Sequence, residues 1–211
     1  HNGRRRQRQM CIRDRNKMTE TLTNRQINIM QTLVTMLESK EPIKITTAEL
    51  AKRCEITEAA IYKHFPSKRK IYEGLVDFCE ENIFPRISSI KKEVSSPETP
   101  FNICTLILAF CEKNKGICKI LTREVLTPDE IKIEEKVNHL FERFELEIKL
   151  AFQNYEQSSK TKFNLTPTDS AGLIVSILEG KIQSFVRSNF KRKVLEEWNE
   201  YSSKLMLTIY K

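Results

Sequence analysis

The stretch Thr46–Lys70, TTAELAKRCEITEAAIYKHFPSKRK, decides the fold. Thr46-Thr47-Ala48-Glu49 has the form of a capping box, in which the threonine hydroxyl accepts from the Glu49 N–H and the glutamate reaches back. The spacing predicts a short helix to about Arg53 that buries Leu50 and Ala51, then a tight turn at Cys54-Glu55-Ile56. Thr57 is a second N-cap, opening a helix through Ile61 to Phe65. Pro66-Ser67 breaks it, and Ser67 caps a longer helix. Two short helices joined by a three-residue turn are helix-turn-helix geometry. Leu50, Ala51, Ile56, Ile61 and Phe65 fall where the pair must pack, and Ala51 is small enough for a close crossing. Thr57, Glu58, Ala59, Tyr62, Lys63 and His64 are left on the outer face of the second helix. Such a helix enters the major groove with its N-terminal residues on base edges.

The residue types on that face suit nucleic acid. Thr46, Thr47 and Thr57 sit at helix N-termini, where free N–H groups and the dipole favour a phosphate. Tyr62 can donate to a phosphate, Lys63 can pair with one, and Ala59 can meet a thymine methyl. Lys68, Arg69 and Lys70 occupy the first turn of the next helix, where cations oppose the macrodipole. Three basic residues in an unfavourable place point to an external anion. The competing reading is an ordinary helical hairpin with a solvated charged face.

On the N-terminal side, Ile27, Met30, Leu33, Val34 and Leu37 recur at spacings of three and four, predicting an amphipathic helix over 24–39 that Pro42 ends. On the C-terminal side, the helix opened by Ser67 runs to about Lys92. Val94–Pro100 is a loop. Helices follow over 101–114, stopped at Lys115-Gly116, and over 117–126. The capping box Thr127-Pro128-Asp129-Glu130 opens a helix to about Tyr155, and Thr166-Pro167-Thr168-Asp169 opens another to about Phe190. The last helix spans about 194–210. No strand and no internal repeat is expected.

Composition agrees. The chain has 211 residues, 39% hydrophobic and 30% charged, which suffices for a core, and only 5 glycines, which disfavours glycine-rich nucleotide folds and turn-rich β architectures. The longest apolar stretches, Thr105–Cys111 and Leu173–Leu178, fall far short of a membrane span. No membrane insertion is expected, and the protein reads as soluble and intracellular. The formal net charge is +8, but most of the excess lies in His1–Lys17, HNGRRRQRQMCIRDRNK, so the basic balance alone is no DNA footprint. That segment is expected to be disordered and non-native, with Met18 as the start. The alternative is a basic arm on DNA phosphates or in a minor groove.

Ile45-Thr46-Thr47-Ala48-Glu49-Leu50-Ala51, Ile56–Lys68 and above all the Tyr62-x-His64-Phe65-x-x-Lys68 string resemble the TetR-type DNA-binding domain. Within that family the similarity extends to the branch of nucleoid occlusion factors. It runs through Arg86-Ile87, Ile120-Leu121-Thr122, Val137–Glu145 and Ser184–Lys191, from about Thr23 to Leu205. The resemblance implies an all-α homodimer divided into a non-native extension (1–17), a three-helix helix-turn-helix domain (18–67) and a C-terminal helical dimerisation bundle (68–211). It implies binding to palindromic double-stranded DNA at half-sites about one helical turn, ~34 Å, apart. It also implies location in the cytoplasm on the nucleoid, and DNA-dependent antagonism of the division GTPase FtsZ. DNA contacts carry over to Thr46, Thr47, Thr57, Ala59, Tyr62, Lys63, His64 and Lys68. FtsZ contacts carry over to Phe78, Arg86, Leu106, Ala109, Lys113 and Asn114. Ala109 stands where the family has Gly, and Lys113 where it has Arg, which keeps the charge and loses the bidentate fork. Glu55 replaces the usual turn Gly, which strains a left-handed turn residue.

Other chemistries find little support. The cysteines, Cys11, Cys54, Cys79, Cys104, Cys111 and Cys118, form no C-x-x-C pair, so neither zinc nor another cofactor is expected, and buried thiols are the better account. No catalytic or phosphate-loop motif appears, so the chain reads as no enzyme, and His139 as a polar-face or packed residue. The rival function is a ligand-responsive TetR-type repressor, with Phe101, Leu106, Leu108, Phe110, Phe141, Phe144, Phe152 and Leu173 lining a cavity. Leu173, Ile177, Ile182, Phe185, Trp198, Tyr201, Leu205 and Ile209 are the candidates for a four-helix dimer interface, the competing reading being burial of half of them within the chain.

Overall fold

Hydroxyl caps set most of the helix starts. In the computed structural model, which describes residues 22–39, 45–92, 95–127, 131–159 and 161–211, nine helices follow one another. They are α1 (Asn24–Glu38), α2 (Thr47–Arg53), α3 (Glu58–His64), α4 (Lys68–Lys92), α5 (Thr99–Lys113), α6 (Lys115–Leu121), α7 (Ile131–Ser159), α8 (Pro167–Arg187) and α9 (Val194–Ile209). The only β pairing among the described residues is an isolated antiparallel bridge between Phe163 and Tyr210. The fold is all-α, as expected. The basic segment 1–17, Met18, Pro42 and the Pro128 capping box lie outside the described residues.

Thr57 Oγ1 accepts from the Ala60 N–H at 3.2 Å, Ser67 Oγ from Lys70 at 3.3 Å, and Thr166 Oγ1 from Asp169 at 3.1 Å. Thr46 Oγ1 accepts from Glu49 at 3.1 Å, but the reciprocal half of that box is replaced: the Glu49 carboxylate takes Arg53 Nε at 2.8 Å instead. A full capping box closes at Thr23 and Gln26, which the sequence reading passed over.

Three helix ends differ from expectation. The helix expected to stop at about Tyr155 runs on to Ser159. The helix after Gly116 ends at Leu121, five residues early, where Arg123 turns left-handed at φ 62. The helix from Pro167 ends at Arg187, because Asn189 and Phe190 both turn left-handed, at φ 51 and 61. Gly116 does not stop a helix. It lies in the first turn of α6, and a Cβ there would come 2.4 Å from the Val34 carbonyl oxygen. Its role is close approach of α6 to α1. The break falls instead at buried Asn114, whose Nδ2 donates to the Phe110 carbonyl at 2.9 Å.

α1 to α3 form the head. Leu50, Ala51, Ile61 and Phe65 pack with Ile29, Met30 and Leu33 of α1 in one continuous core. α4 leads into the body, where α5 is central, with Phe101, Ile103, Cys104, Ile107, Leu108, Phe110 and Cys111 all buried. Ion pairs tie α4 to α7: Asp77 with Lys136 at 2.5 Å, Glu80 with Arg143 at 2.5 Å, and Lys91 with Glu147 at 2.6 Å. Arg143 also lies 3.8 Å from the Phe84 ring centroid. Trp198 of α9 is fully buried and donates to Thr105 Oγ1 at 3.0 Å. The five described cysteines are free and buried, and burial pushes the Cys79, Cys104 and Cys118 thiols up, so they stay protonated.

Candidate nucleic-acid and partner interfaces

α3 presents the outer face that its sequence spacing required. Thr57, Ala59, Tyr62 and Lys63 are exposed, and Tyr62 keeps 47% of its surface. Thr46, Thr47, His64 and Lys68 are half-buried around it. The cap bonds of Thr46 and Thr57 use oxygen lone pairs, so each hydroxyl hydrogen remains available to donate. Thr47 Oγ1 and Tyr62 Oη lie 3.1 Å apart, joining α2 to α3, and the hydroxyl that accepts in this bond keeps its own hydrogen to donate outward.

Two features of this face were not read from the sequence. Gln26 Nε2 donates to the His64 carbonyl at 3.4 Å while its Oε1 accepts from the Thr23 N–H at 2.9 Å. One side chain therefore closes the α1 cap and holds the end of α3. The Thr23-x-x-Gln26 spacing was the available signal. The basic first turn of α4 also has an internal anion: Glu73 pairs with Lys70 and, at 3.3 Å, with Arg69. Arg69 and Lys70 thus have a partner within the chain, so the three basic residues do not by themselves point to an external anion. Lys68 lies with its Nζ 5.3 Å from the Tyr72 ring centroid.

The candidate partner residues split. Leu106, Ala109 and Lys113 are half-buried and follow one another at spacings of three and four along α5, and Arg86 is half-buried on α4. Arg86 donates to the Asn82 carbonyl, beside Pro85, whose ring nitrogen has no hydrogen to give the helix. Phe78 and Asn114 do not reach the surface. Phe78 is 1% exposed with its ring 5.6 Å from that of Phe110, and Asn114 is 0% exposed and holds the α5–α6 break. Their side chains lie behind the surface rather than on it.

The α8–α9 candidates divide in half. Ile182, Phe185, Trp198 and Ile209 are buried within the chain, while Leu173, Ile177, Tyr201 and Leu205 remain accessible. Ile177, Tyr201 and Leu205 line an open groove between the two helices, together with Gly180 and Lys181. Lys181, missed in the sequence, is 8% exposed, with Nζ 3.3 Å from Glu197 and 4.5 Å from the Tyr201 ring centroid. The Arg192 fork, bonding Glu197 at 2.9 Å, and Lys181 hold that carboxyl below the usual range. Elsewhere, His139 is exposed and pairs with Glu142 at 3.3 Å, the polar-face role expected. Phe101, Leu108, Phe110, Phe141, Phe144 and Phe152 are buried. Phe101 packs on Phe152 and Trp198 with centroids 6.1 and 6.2 Å away, and Phe141 on Phe144 at 5.9 Å.

A three-helix head with an exposed recognition helix, set on a helical body, defines a TetR-type DNA-binding protein. The model for bacterial regulatory proteins of the tetR family matches residues 36–75, and the SlmA-like tetracyclin repressor-like C-terminal domain matches residues 101–209. Nucleoid occlusion factor SlmA of Marinomonas sp. (strain MWYL1) is 38% identical over 184 residues, covering 87% of this chain and 93% of that one. SlmA of Alteromonas mediterranea is 37% identical over 179 residues, 84% and 92% of the two chains. The fatty acid degradation regulator FadR of Bacillus halodurans shares the fold, with a TM-score of 0.75 at 11% identity over 89% of this chain and 97% of that one. The chain belongs to the SlmA family, whose members are DNA-binding proteins and not enzymes.

Proposed function

We propose that this protein is a nucleoid occlusion factor: a homodimer that binds palindromic duplex DNA and, when bound, antagonises FtsZ polymers so that no division ring assembles over the chromosome. Within the proposal, residues 18–67 read DNA and residues 68–211 dimerise and meet FtsZ, in the cytoplasm on the nucleoid. The observation that carries it is an exposed recognition helix joined to a body that is SlmA-like over nearly its whole length.

In this reading Ala59, Tyr62 and Lys63 face the major groove, and the hydroxyls of Thr46, Thr47 and Thr57, with His64 and Lys68, contact the flanking backbone. Arg86, Leu106, Ala109 and Lys113 form the FtsZ-facing surface, with Phe78 and Asn114 behind it as positioning residues. Leu173, Ile177, Tyr201 and Leu205 meet their copies across a two-fold axis. DNA then acts as an effector of FtsZ binding, a coupling free energy between two sites. The ring-on-ring packing of Phe101, Phe141, Phe144 and Phe152 favours this reading over an effector-sensing repressor.

The test is FtsZ sedimentation with GTP, with and without a duplex carrying the selected palindrome. Pelleted FtsZ should fall only when protein and duplex are both present. Arg86→Ala should abolish that loss with duplex affinity unchanged. If the protein binds the duplex and leaves FtsZ polymers intact, the division role fails and an effector-sensing repressor replaces it.

A further inference from the structure

We propose that the surface where α6 meets the α8–α9 turn is a docking site for an acidic polypeptide segment carrying an apolar side chain. Lys115, Arg187 and Lys191 are exposed there and have no ion-pair partner among the described residues. Lys119 joins them, with Nζ 5.9 Å from the Phe190 ring centroid and a long 3.8 Å pairing to Glu124. The acids nearby are engaged: Glu197 with Arg192 and Lys181, Glu196 with Lys193, and Glu112 as acceptor of the Leu195 N–H at 3.1 Å.

Ordinary helix electrostatics explains part of this surface and not the rest. Arg187, at the end of α8, complements the helix dipole, and at the start of α6 the Glu38 carboxylate on the Gly116 N–H offsets part of the repulsion on Lys115, but Lys191 has neither account. Asn189 and Phe190 hold consecutive left-handed conformations, at φ 51 and 61, which glycine and asparagine adopt readily and phenylalanine only under strain. The strained turn fixes Phe190. Its N–H donates to the Phe185 carbonyl at 2.9 Å, and its ring rests 5.1 Å from that of Phe185, half-buried with Lys119 Nζ 5.9 Å away. A half-buried aromatic ring beside Lys119, on a surface that also carries the exposed Lys115, Arg187 and Lys191, matches an acidic peptide with an apolar residue, whereas a phosphate backbone has no use for the ring.

The position also separates this surface from the DNA face. α6 begins at one end of α1, where Glu38 accepts from the Gly116 N–H at 3.4 Å, and the recognition helix is held at the other end by Gln26. About 18 Å of helix lies between those two anchors. The inference does not depend on which protein carries the acidic segment.

The test uses the full chain and a fluorescein-labelled peptide of glutamates and aspartates flanking one leucine, read by fluorescence anisotropy at low salt. The triple reversal K115E/R187E/K191E alters exposed side chains and should keep the parent's thermal transition. It should weaken the peptide by about tenfold or more and leave affinity for the selected duplex within about twofold. F190A should weaken the peptide several-fold without changing the salt dependence. Three results overturn the proposal: no peptide binding by the parent, undiminished binding by the triple variant (the basic segment 1–17 then being the site), or loss of duplex affinity in that variant with the peptide unaffected, which makes the surface a phosphate contact.

Discussion

The helix-turn-helix head and the part of α4 and α5 proposed to meet FtsZ handle polar residues in opposite ways. In the head, Thr57, Ala59, Tyr62 and Lys63 are at the surface, and the polar groups that fix their positions are the Thr57 cap one turn away, the Thr47–Tyr62 hydroxyl bond and Gln26 at the end of α3. On α4 and α5, the same resemblance selected Phe78 and Asn114, both buried, alongside Arg86, Leu106, Ala109 and Lys113, which are half-exposed. A family signature on a recognition helix therefore falls on exposed residues. On a core helix it falls on surface and buried side chains alike. The two regions should respond differently to substitution.

The largest effect should come from the buried side. Phe78→Ala should lower stability by about 3–5 kcal/mol, read in chemical denaturation, because it opens a cavity beside Phe110 and Cys79. Asn114→Ala should cost about 1–3 kcal/mol by leaving the Phe110 carbonyl without its side-chain donor. If either variant keeps full stability and loses only FtsZ antagonism, it is a contact residue and the contrast breaks. Next is Glu55, which holds the turn between α2 and α3 at φ 55. Glu55→Gly should raise stability by about 0.5–1 kcal/mol with duplex affinity unchanged, since it removes left-handed strain from an exposed residue outside the candidate contacts. A drop in duplex affinity would show that the strain sets the angle of the recognition helix. The smallest effect should be Lys68→Ala, which should weaken all duplexes alike and flatten the dependence of log K on log salt by about one unit. An unchanged slope would assign Lys68 to Tyr72 rather than to DNA.

What the sequence made legible follows from the range of the forces involved. Thr57, Ser67 and Thr166 bond their own first turns, so their signals are local and the helix starts were readable. The left-handed strain at Glu55 was legible only through the resemblance, because Glu55 stands where the family has a turn Gly. Gly116 was not: its lack of a side chain serves a contact with α1, far away in sequence, and a local reading made it a helix stop. Phe190 was not readable either, since nothing in its chemistry announces a left-handed turn. Lys181 reads as a solvated charge until the Glu197 carboxylate and the Tyr201 ring close over it. The candidate DNA face could be drawn residue by residue because one short helix carries most of it. The partner surface could not, because burial along α4 and α5 depends on what packs against them.

Gly116 gives the joint between head and body a mechanical character. With the Val34 carbonyl against the α6 backbone, no side chain separates α1 from the body there, so any tilt of α1 would turn about that point as about a fulcrum. Gln26 lies about 12 Å along the helix from Val34. A tilt of about 5° then carries the Gln26 end by about 1 Å, more than the spread of a good hydrogen bond's length. A single missing methyl group thus turns a 15-residue helix into a lever whose long arm ends on the recognition helix.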